Sequence, residues 1–493
     1  MLLASLRFVK IFLTALVLMI YSRVFGIGIQ MDSWVFASGI TAYVGLALWG
    51  PVNELVRSRF VRQVSEAGEK SARTSATSLL IFTLTASVLV CFVLLIGAPQ
   101  VVTALLGATE PAARSLVLKI FVIMLPSIII GPVLSQGIAY MNCYGAIYAP
   151  EFMGIATALL NMACVLALNP LLGIYSLVFG YYLGAVLSLI VVLHFLRSRG
   201  ILRGVAGARA ILKDAGAVII FAAPLFFSYG SAQMNGLLEK YLASLMGVGV
   251  ISSVYYASQI KSALQAVLSS VLFSLIVPRL TQAASQWGGG EFKRMFAESQ
   301  RVAMMFVLIV LPFVFGAADS LAAILFSKAA TSASAQQEIA LLIRLYAAAL
   351  VPVVLYLVYG VALLAQEKGG AYATLGVTAQ LMSALFCVAM FRPLGPQVFP
   401  IALLLSHLAA ALLMLHRIDL QGRRAILAEA SGFIVLLAAA SVAVMLAGRS
   451  LSDASHSSLL SLGLLGLAYG IVVLVMVIVF NCIKSWYGKL KVF

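Results

Sequence analysis

The sequence predicts an all-α polytopic membrane protein of about 14 transmembrane helices. They form two six-helix lobes with a pseudo-two-fold, followed by two C-terminal helices. Three observations carry this expectation. Of 493 residues, 63% are hydrophobic and only 10% charged, with mean hydropathy +1.10; a soluble domain carries about 25% charged residues. Apolar runs of about 20 residues follow one another, each long enough to cross a bilayer as a helix. Finally, Tyr21–Ile40 (YSRVFGIGIQMDSWVFASGI) returns in altered form as Tyr241–Ile260 (YLASLMGVGVISSVYYASQI). Both read Gly-[Ile/Val]-Gly-[Ile/Val], then an aromatic followed by Ala-Ser-x-Ile, with one residue of slippage. A unit repeated at this spacing points to two halves folded alike. A β-barrel is excluded, because period-two alternation is absent and runs such as Leu459–Phe480 are apolar on every face.

Taken in order, the spans fall near residues 8–26, 32–55, 76–97, 114–139, 150–169, 174–196, 214–238, 248–276, 302–325, 339–364, 371–391, 399–416, 426–447 and 458–483. The first is read as an uncleaved helix, since no small-x-small cleavage site follows it. An even number of spans puts both termini on one side. Most of the 32 Lys and Arg then fall in the N-terminus and alternate loops, including Arg57, Arg59, Arg62, Arg197, Arg199, Arg203, Arg294 and Arg417. This bias predicts N-in, C-in topology. It also disposes of nucleic acid as the reason for the net charge of +16, because the basic residues are spread between apolar runs.

The connections are too short for a separate soluble domain. The repeat places the lobes at residues 1–213 and 214–425, leaving 426–493 for helices 13 and 14 and a cytoplasmic tail. That tail, Lys484–Phe493 (KSWYGKLKVF), mixes aromatics and lysines in the manner of an interfacial anchor.

Several chemistries lack a motif. There is no G-x-x-x-x-G-K-[ST] loop, so ATP-driven transport by this chain alone has no support. Cys91, Cys143, Cys164, Cys387 and Cys482 form no C-x-x-C pair and read as packing residues. His194, His407, His416 and His456 show no metal-ligand spacing, and His407 reads as a hydrogen-bonded packing residue. No nucleophile elbow or carboxylate pair suggests hydrolysis. No cofactor is expected, and a coupling ion is left open.

Charge inside a span costs several kcal/mol unless it faces a cavity or a partner, so each such residue is a functional candidate. Arg23 and Asp32 flank the first external turn, where they can pair with each other or meet a ligand. Span seven carries Asn235 and Glu239 with Ser228, Ser231 and Gln233, too polar for a lipid-facing helix. Lys261 lies well inside span eight, in a polar stripe with Ser258, Gln259, Ser262, Gln265 and Ser269. The stripe fits a hydrated cavity wall or interhelical hydrogen bonding. Glu151, after Pro150, can complement a helix N-terminus or act as a gate. Arg344 reads as interfacial. Pro51, Pro126, Pro132, Pro224, Pro312 and Pro352 interrupt spans and allow them to bend.

These residues carry a family resemblance. Arg23-Val-Phe-Gly26 with Asp32 soon after resembles the opening of the MviN/MurJ proteins, lipid II flippases of the multidrug/oligosaccharidyl-lipid/polysaccharide (MOP) exporter superfamily. Gln233-Met-Asn235-Gly-Leu-Leu-Glu239-Lys240 is similar to that family's span seven. Val254-Tyr255-Tyr256-Ala257 and Val277-Pro278-Arg279-Leu280 are similar to the ends of its span eight. Ala149-Pro150 and Gly173-Ile174-Tyr175-Ser176-Leu177 sit where it has similar phrases.

The resemblance implies a flippase rather than an enzyme. It also implies a substrate path lined by Arg23, Asp32, Asn235, Glu239, Gln259 and Lys261, with membrane lipids and glycan-assembly enzymes as partners. The family's arginines thought to meet the carrier diphosphate are only partly present. Arg23 matches one, while Ile29, Gly45 and Gln259 stand at the others. Lys261, and Lys10 at the cytoplasmic end, offer cations nearby. That departure points to a polyprenyl-diphosphate-linked glycan, an exopolysaccharide or cell-envelope precursor, ahead of lipid II. A cation-coupled exporter of small molecules and a non-transporting scaffold are the further alternatives.

Overall fold

A computed structural model describes residues 2–106, 111–202, 207–286, 289–326, 333–419, 423–454, 460 and 462–470. The helices are α1 (Leu2–Phe25), α2 (Ile29–Ile96), α3 (Ala98–Leu105), α4 (Pro111–Met124), α5 (Ser127–Cys143), α6 (Ala149–Leu172) and α7 (Tyr175–Ser198). They continue with α8 (Ala208–Met246), α9 (Val250–Gln286), α10 (Gly289–Phe326), α11 (Ala333–Ala365), α12 (Gly369–Leu394), α13 (Val398–Arg417) and α14 (Arg423–Ala454). Among the described residues there is no strand. Helices satisfy their own backbone groups, which is what apolar surroundings demand.

The expected count of fourteen spans is not established. Among the described residues, eight helical segments are long and apolar enough to cross a membrane, or ten if each of two bent pairs is one span. Two of the eight, Ile29–Ile96 and Gly369–Arg417, each hold two of the expected spans. Most of the expected span at 458–483, with Cys482 and the tail Lys484–Phe493, lies outside the described residues.

At 68 residues α2 is far longer than a bilayer is thick. It folds back on itself at Gly68, where φ is 79° and ψ 162°, a conformation open to glycine. Val56 and Phe60 before the turn share one core with Ala72, Ala76 and Leu79 after it. Gln63 Nε2 donates to Ser75 Oγ across the hairpin at 3.1 Å. Of the span prolines, Pro126 and Pro224 sit at bends of 42° and 70°. Pro51, Pro132, Pro312 and Pro352 lie within helices that continue through them.

The chain packs as two compact units, Met1–Tyr256 with Gly376–Phe399, and Ala257–Leu375 with Pro400–Phe493. In the first, α8 runs antiparallel along α2 through a seam of glycines. A Cβ on Gly39 would lie 2.3 Å from Lys240 Cε. One on Gly236 would lie 2.8 Å from Tyr43 Cζ, and one on Gly50 would lie 2.3 Å from Tyr229 Cδ1. As the position falls along α8 it rises along α2, so three large side chains each cross the other helix where it has none. Tyr229 also donates to Glu54 Oε2 at 2.7 Å, giving that carboxylate a partner. At the start of α6, Glu151 is held by Arg7 at 3.2 Å and Lys10 at 3.5 Å, with its side chain 15% exposed. Lys10, considered as a spare cation, is therefore engaged in an ion pair.

In the second unit α14 lies against α10. Arg301 binds both oxygens of Glu429. Asp319 of α10 accepts from Arg344 Nη2 at 2.5 Å and has Arg449 of α14 at 3.9 Å. Arg344, expected at an interface, has a side chain only 12% exposed and also donates to the Phe315 carbonyl. Between these ties, Gly316 and Gly448 bring the two backbones together. The close approach is possible because neither residue carries a side chain.

Candidate functional site

In the first unit the two repeated phrases meet. Gly28 precedes α2 and Gly249 precedes α9, so each phrase ends a turn and begins a helix. The first four N–H groups of any helix lack an internal partner. At α9 two N–H groups of this entry turn are taken by Asp32. Gly249 N donates to Asp32 Oδ2 at 2.5 Å, and Ser252 N donates to Oδ1 at 2.7 Å. The carboxylate is 9% exposed and complements the positive end of the α9 dipole. Tyr256 Oη donates to the Gly26 carbonyl at 3.2 Å, closing the same contact from the α9 side. Asp32 is therefore a capping group supplied by a distant helix. No ion pair joins it to Arg23 among the described residues. Arg23 stands exposed in the last turn of α1.

Lys240 lies within electrostatic range of both Asp32 and Glu239, and its Nζ sits 5.8 Å from the centre of the Tyr43 ring. Cations favour such a face because the ring quadrupole is negative there. Asn235 Nδ2 donates to Gln380 Oε1 at 3.1 Å and reaches Glu239 Oε1 at 3.4 Å. Its own Oδ1 is buried with no partner in the structure.

Three expected site residues, Asp32, Asn235 and Glu239, thus fall in one polar cluster at the α2–α8 seam, joined by Lys240, Tyr43 and Gln380. Lys240 follows Glu239 near the external end of span seven, and that position by itself reads as interfacial. Gln380 carried one signal, an amide inside an apolar span. Tyr43 carried none, because an aromatic in a membrane helix is ordinary.

Gln259 and Lys261 belong to the second unit. Ser258, Gln259, Lys261, Gln265 and Ser269 are partly exposed on α9 and Ser262 is exposed, so the predicted stripe is not sealed in the unit's core. Lys261 is close enough to His407 of α13 for their charges to interact. His407 Nδ1 lies 3.0 Å from the Leu403 carbonyl, in keeping with a hydrogen-bonded packing histidine.

The arrangement keeps charge inside membrane helices and partners much of it internally, as the cost of unpaired charge there requires.

A family model described as lipid II flippase MurJ matches residues 21–480. Among solved structures, one described as lipid II flippase MurJ in an inward closed conformation has TM-score 0.76 and 14% identity, covering 97% of this chain and 99% of that one. An inward-facing multidrug resistance MATE family transporter of the MOP superfamily has TM-score 0.69 and 15% identity, covering 85% and 94%. A MOP superfamily transporter from Pyrococcus furiosus has TM-score 0.58 and 18% identity, covering 85% and 96%. At these identities the structures speak to the fold alone. No curated protein matches the sequence.

Proposed function

Because the chain belongs to the lipid II flippase MurJ family, a family of membrane transporters, we propose that it moves a polyprenyl-diphosphate-linked glycan from the inner to the outer leaflet of a bacterial cytoplasmic membrane. We favour an exopolysaccharide or cell-envelope precursor as the cargo. The family match running from residue 21 to 480 carries the reading; the intramembrane charges are consistent with it.

A diphosphate is doubly charged and has to be neutralised wherever water is scarce. Arg23, exposed in α1, and Lys261, partly exposed in α9, are the cations we assign to that task. Asn235, Glu239 and Gln259 would offer hydrogen bonds to polar groups of the cargo, and Asp32 would hold the α9 entry in place beside the path. The polyprenyl tail would stay in the bilayer, and alternating access would open the path to one leaflet at a time. In this scheme residues 1–213 and 214–425 are the two repeats, with 426–493 added to them. Both termini would face the cytoplasm.

Lipid II is the second reading, favoured by the description of the matching family. Against it stand Ile29, Gly45 and Gln259 at positions where the resemblance leads one to expect arginine. Depleting the protein and identifying the lipid-linked glycan that accumulates on the cytoplasmic leaflet separates the two. Accumulation of lipid II alone would replace our choice with the second reading. Loss of small-dye efflux without any glycan accumulating would overturn both. Lys261→Ala addresses a scaffolding role, since a scaffold keeps its activity when this cation is removed.

A further inference from the structure

In the second unit, four helices bring together Lys261, which the transport scheme above already uses, and three side chains that it leaves unused. Tyr356 of α11 has its ring centre 5.2 Å from that of His407 on α13, at an interplanar angle of 64°. Tyr372, in the first turn of α12, has its ring centre 6.3 Å from that of Tyr356 at 39°. Lys261 of α9 is near enough to His407 for their charges to interact. Tyr356, Tyr372 and Lys261 are partly exposed, while His407 is 9% exposed.

The cluster is built rather than incidental. A Cβ at Gly360 would lie 2.6 Å from Tyr372 Cε2, so the ring is seated against the α11 backbone. The Leu403 carbonyl can only accept, so His407 Nδ1 carries the proton in the bond between them. In the neutral ring Nε2 is then an acceptor.

We propose that Tyr356, Tyr372, His407 and Lys261 form a sugar-binding subsite for the glycan of a polyprenyl-diphosphate-linked cargo. A pyranose has an apolar C–H face and a rim of hydroxyls. Two tyrosine rings supply the surface for the first, and an imidazole acceptor and an ammonium donor supply partners for the second. An aromatic surface flanked by a few placed polar groups fixes orientation as well as affinity. Bare diphosphate would need cations only, and an aliphatic solute would gain nothing from the polar rim. The inference rests on the function proposed above and adds what reads the sugar.

The test measures binding of two probes to the full chain in lipid nanodiscs: undecaprenyl diphosphate, and the same carrier bearing N-acetylglucosamine. The wild type should hold the sugar-bearing probe more tightly. Tyr356→Ala and Tyr372→Ala should each weaken it by about tenfold, the loss expected for one aromatic contact, while the bare carrier changes by less than about twofold. Tyr356→Phe keeps the ring and should keep most of the binding. Gly360→Ala keeps every functional group but displaces the Tyr372 ring, and should weaken the sugar-bearing probe selectively. Melting temperatures identify any variant that fails to fold. Equal loss for both probes, or no loss for the sugar-bearing one, overturns the subsite and leaves the flippase reading standing. A wild type that binds neither probe overturns that reading, and the subsite with it.

Discussion

Replacing Asp32 by Asn removes one charge and one acceptor from the entry of α9 while keeping the side chain's shape. The wild-type carboxylate accepts from Gly249 N at 2.5 Å and Ser252 N at 2.7 Å in a site 9% exposed. Each charge-assisted bond contributes about 1.5–3 kcal/mol, and leaving a buried N–H without a partner costs about as much as the bond it loses. The helix dipole adds up to about 1 kcal/mol. Asn keeps one carbonyl acceptor but turns an NH2 toward the second N–H, so the net loss should be about 2–4 kcal/mol. Asp32→Ala, which orphans both amides, should lose more and approach the whole margin of a marginally stable fold.

The assay is hydrogen exchange at the Gly249 and Ser252 amides, with thermal unfolding in the same detergent. Exchange should speed up by roughly 30- to 1000-fold, the equivalent of that free energy. Ser252→Ala removes only the hydroxyl's share of the contact with Asp32 and keeps the backbone N–H, so its effect should be clearly smaller. Unchanged exchange at both amides in Asp32→Asn, or an equal effect in Ser252→Ala, would refute the capping role.

Three further outcomes follow from the geometry. Gly50→Ala places a methyl 2.3 Å from Tyr229 Cδ1, part of a rigid ring, and should cost about 1–3 kcal/mol as an overpacked seam; a double-mutant cycle with Tyr229→Ala should show coupling, and additivity would refute the contact. Asp319→Asn leaves Arg344, 12% exposed, without its carboxylate and should cost about 1–2 kcal/mol, moderated because Asp319 is itself partly exposed; an unchanged melting temperature would refute it. Outside the spans, hydrogen bonds from Arg73 and the Tyr144 hydroxyl hold the Glu69 carboxyl below the usual carboxylate range. Its folded pKa is depressed, so its stabilisation is present above the unfolded value and is lost as pH falls through the folded one. Melting curves from neutral pH to about pH 3 should therefore show a loss on acidification that is smaller in Glu69→Gln; parallel curves would refute it.

The chain alone determined that it lies in a membrane as helices, because hydropathy and run length are properties of consecutive residues and need no partner. It also determined the family: the resemblance read in phrases such as Gln233-Met-Asn235 and Arg23-Val-Phe-Gly26 agrees with a family model that matches residues 21–480. The pairing of buried charge was decided only in three dimensions. Asp32 and Ser252 are 220 residues apart, and nothing local to Asp32 distinguishes a ligand-facing carboxylate from a helix cap. Lys240 reads as interfacial until Gly39 is seen to open a channel for its stem, and Gln380 reads as an isolated amide until Asn235 meets it. A short-range pattern encodes which face of a helix is apolar. Which distant side chain answers an unpaired charge depends on how the helices pack, and that is a property of the whole chain.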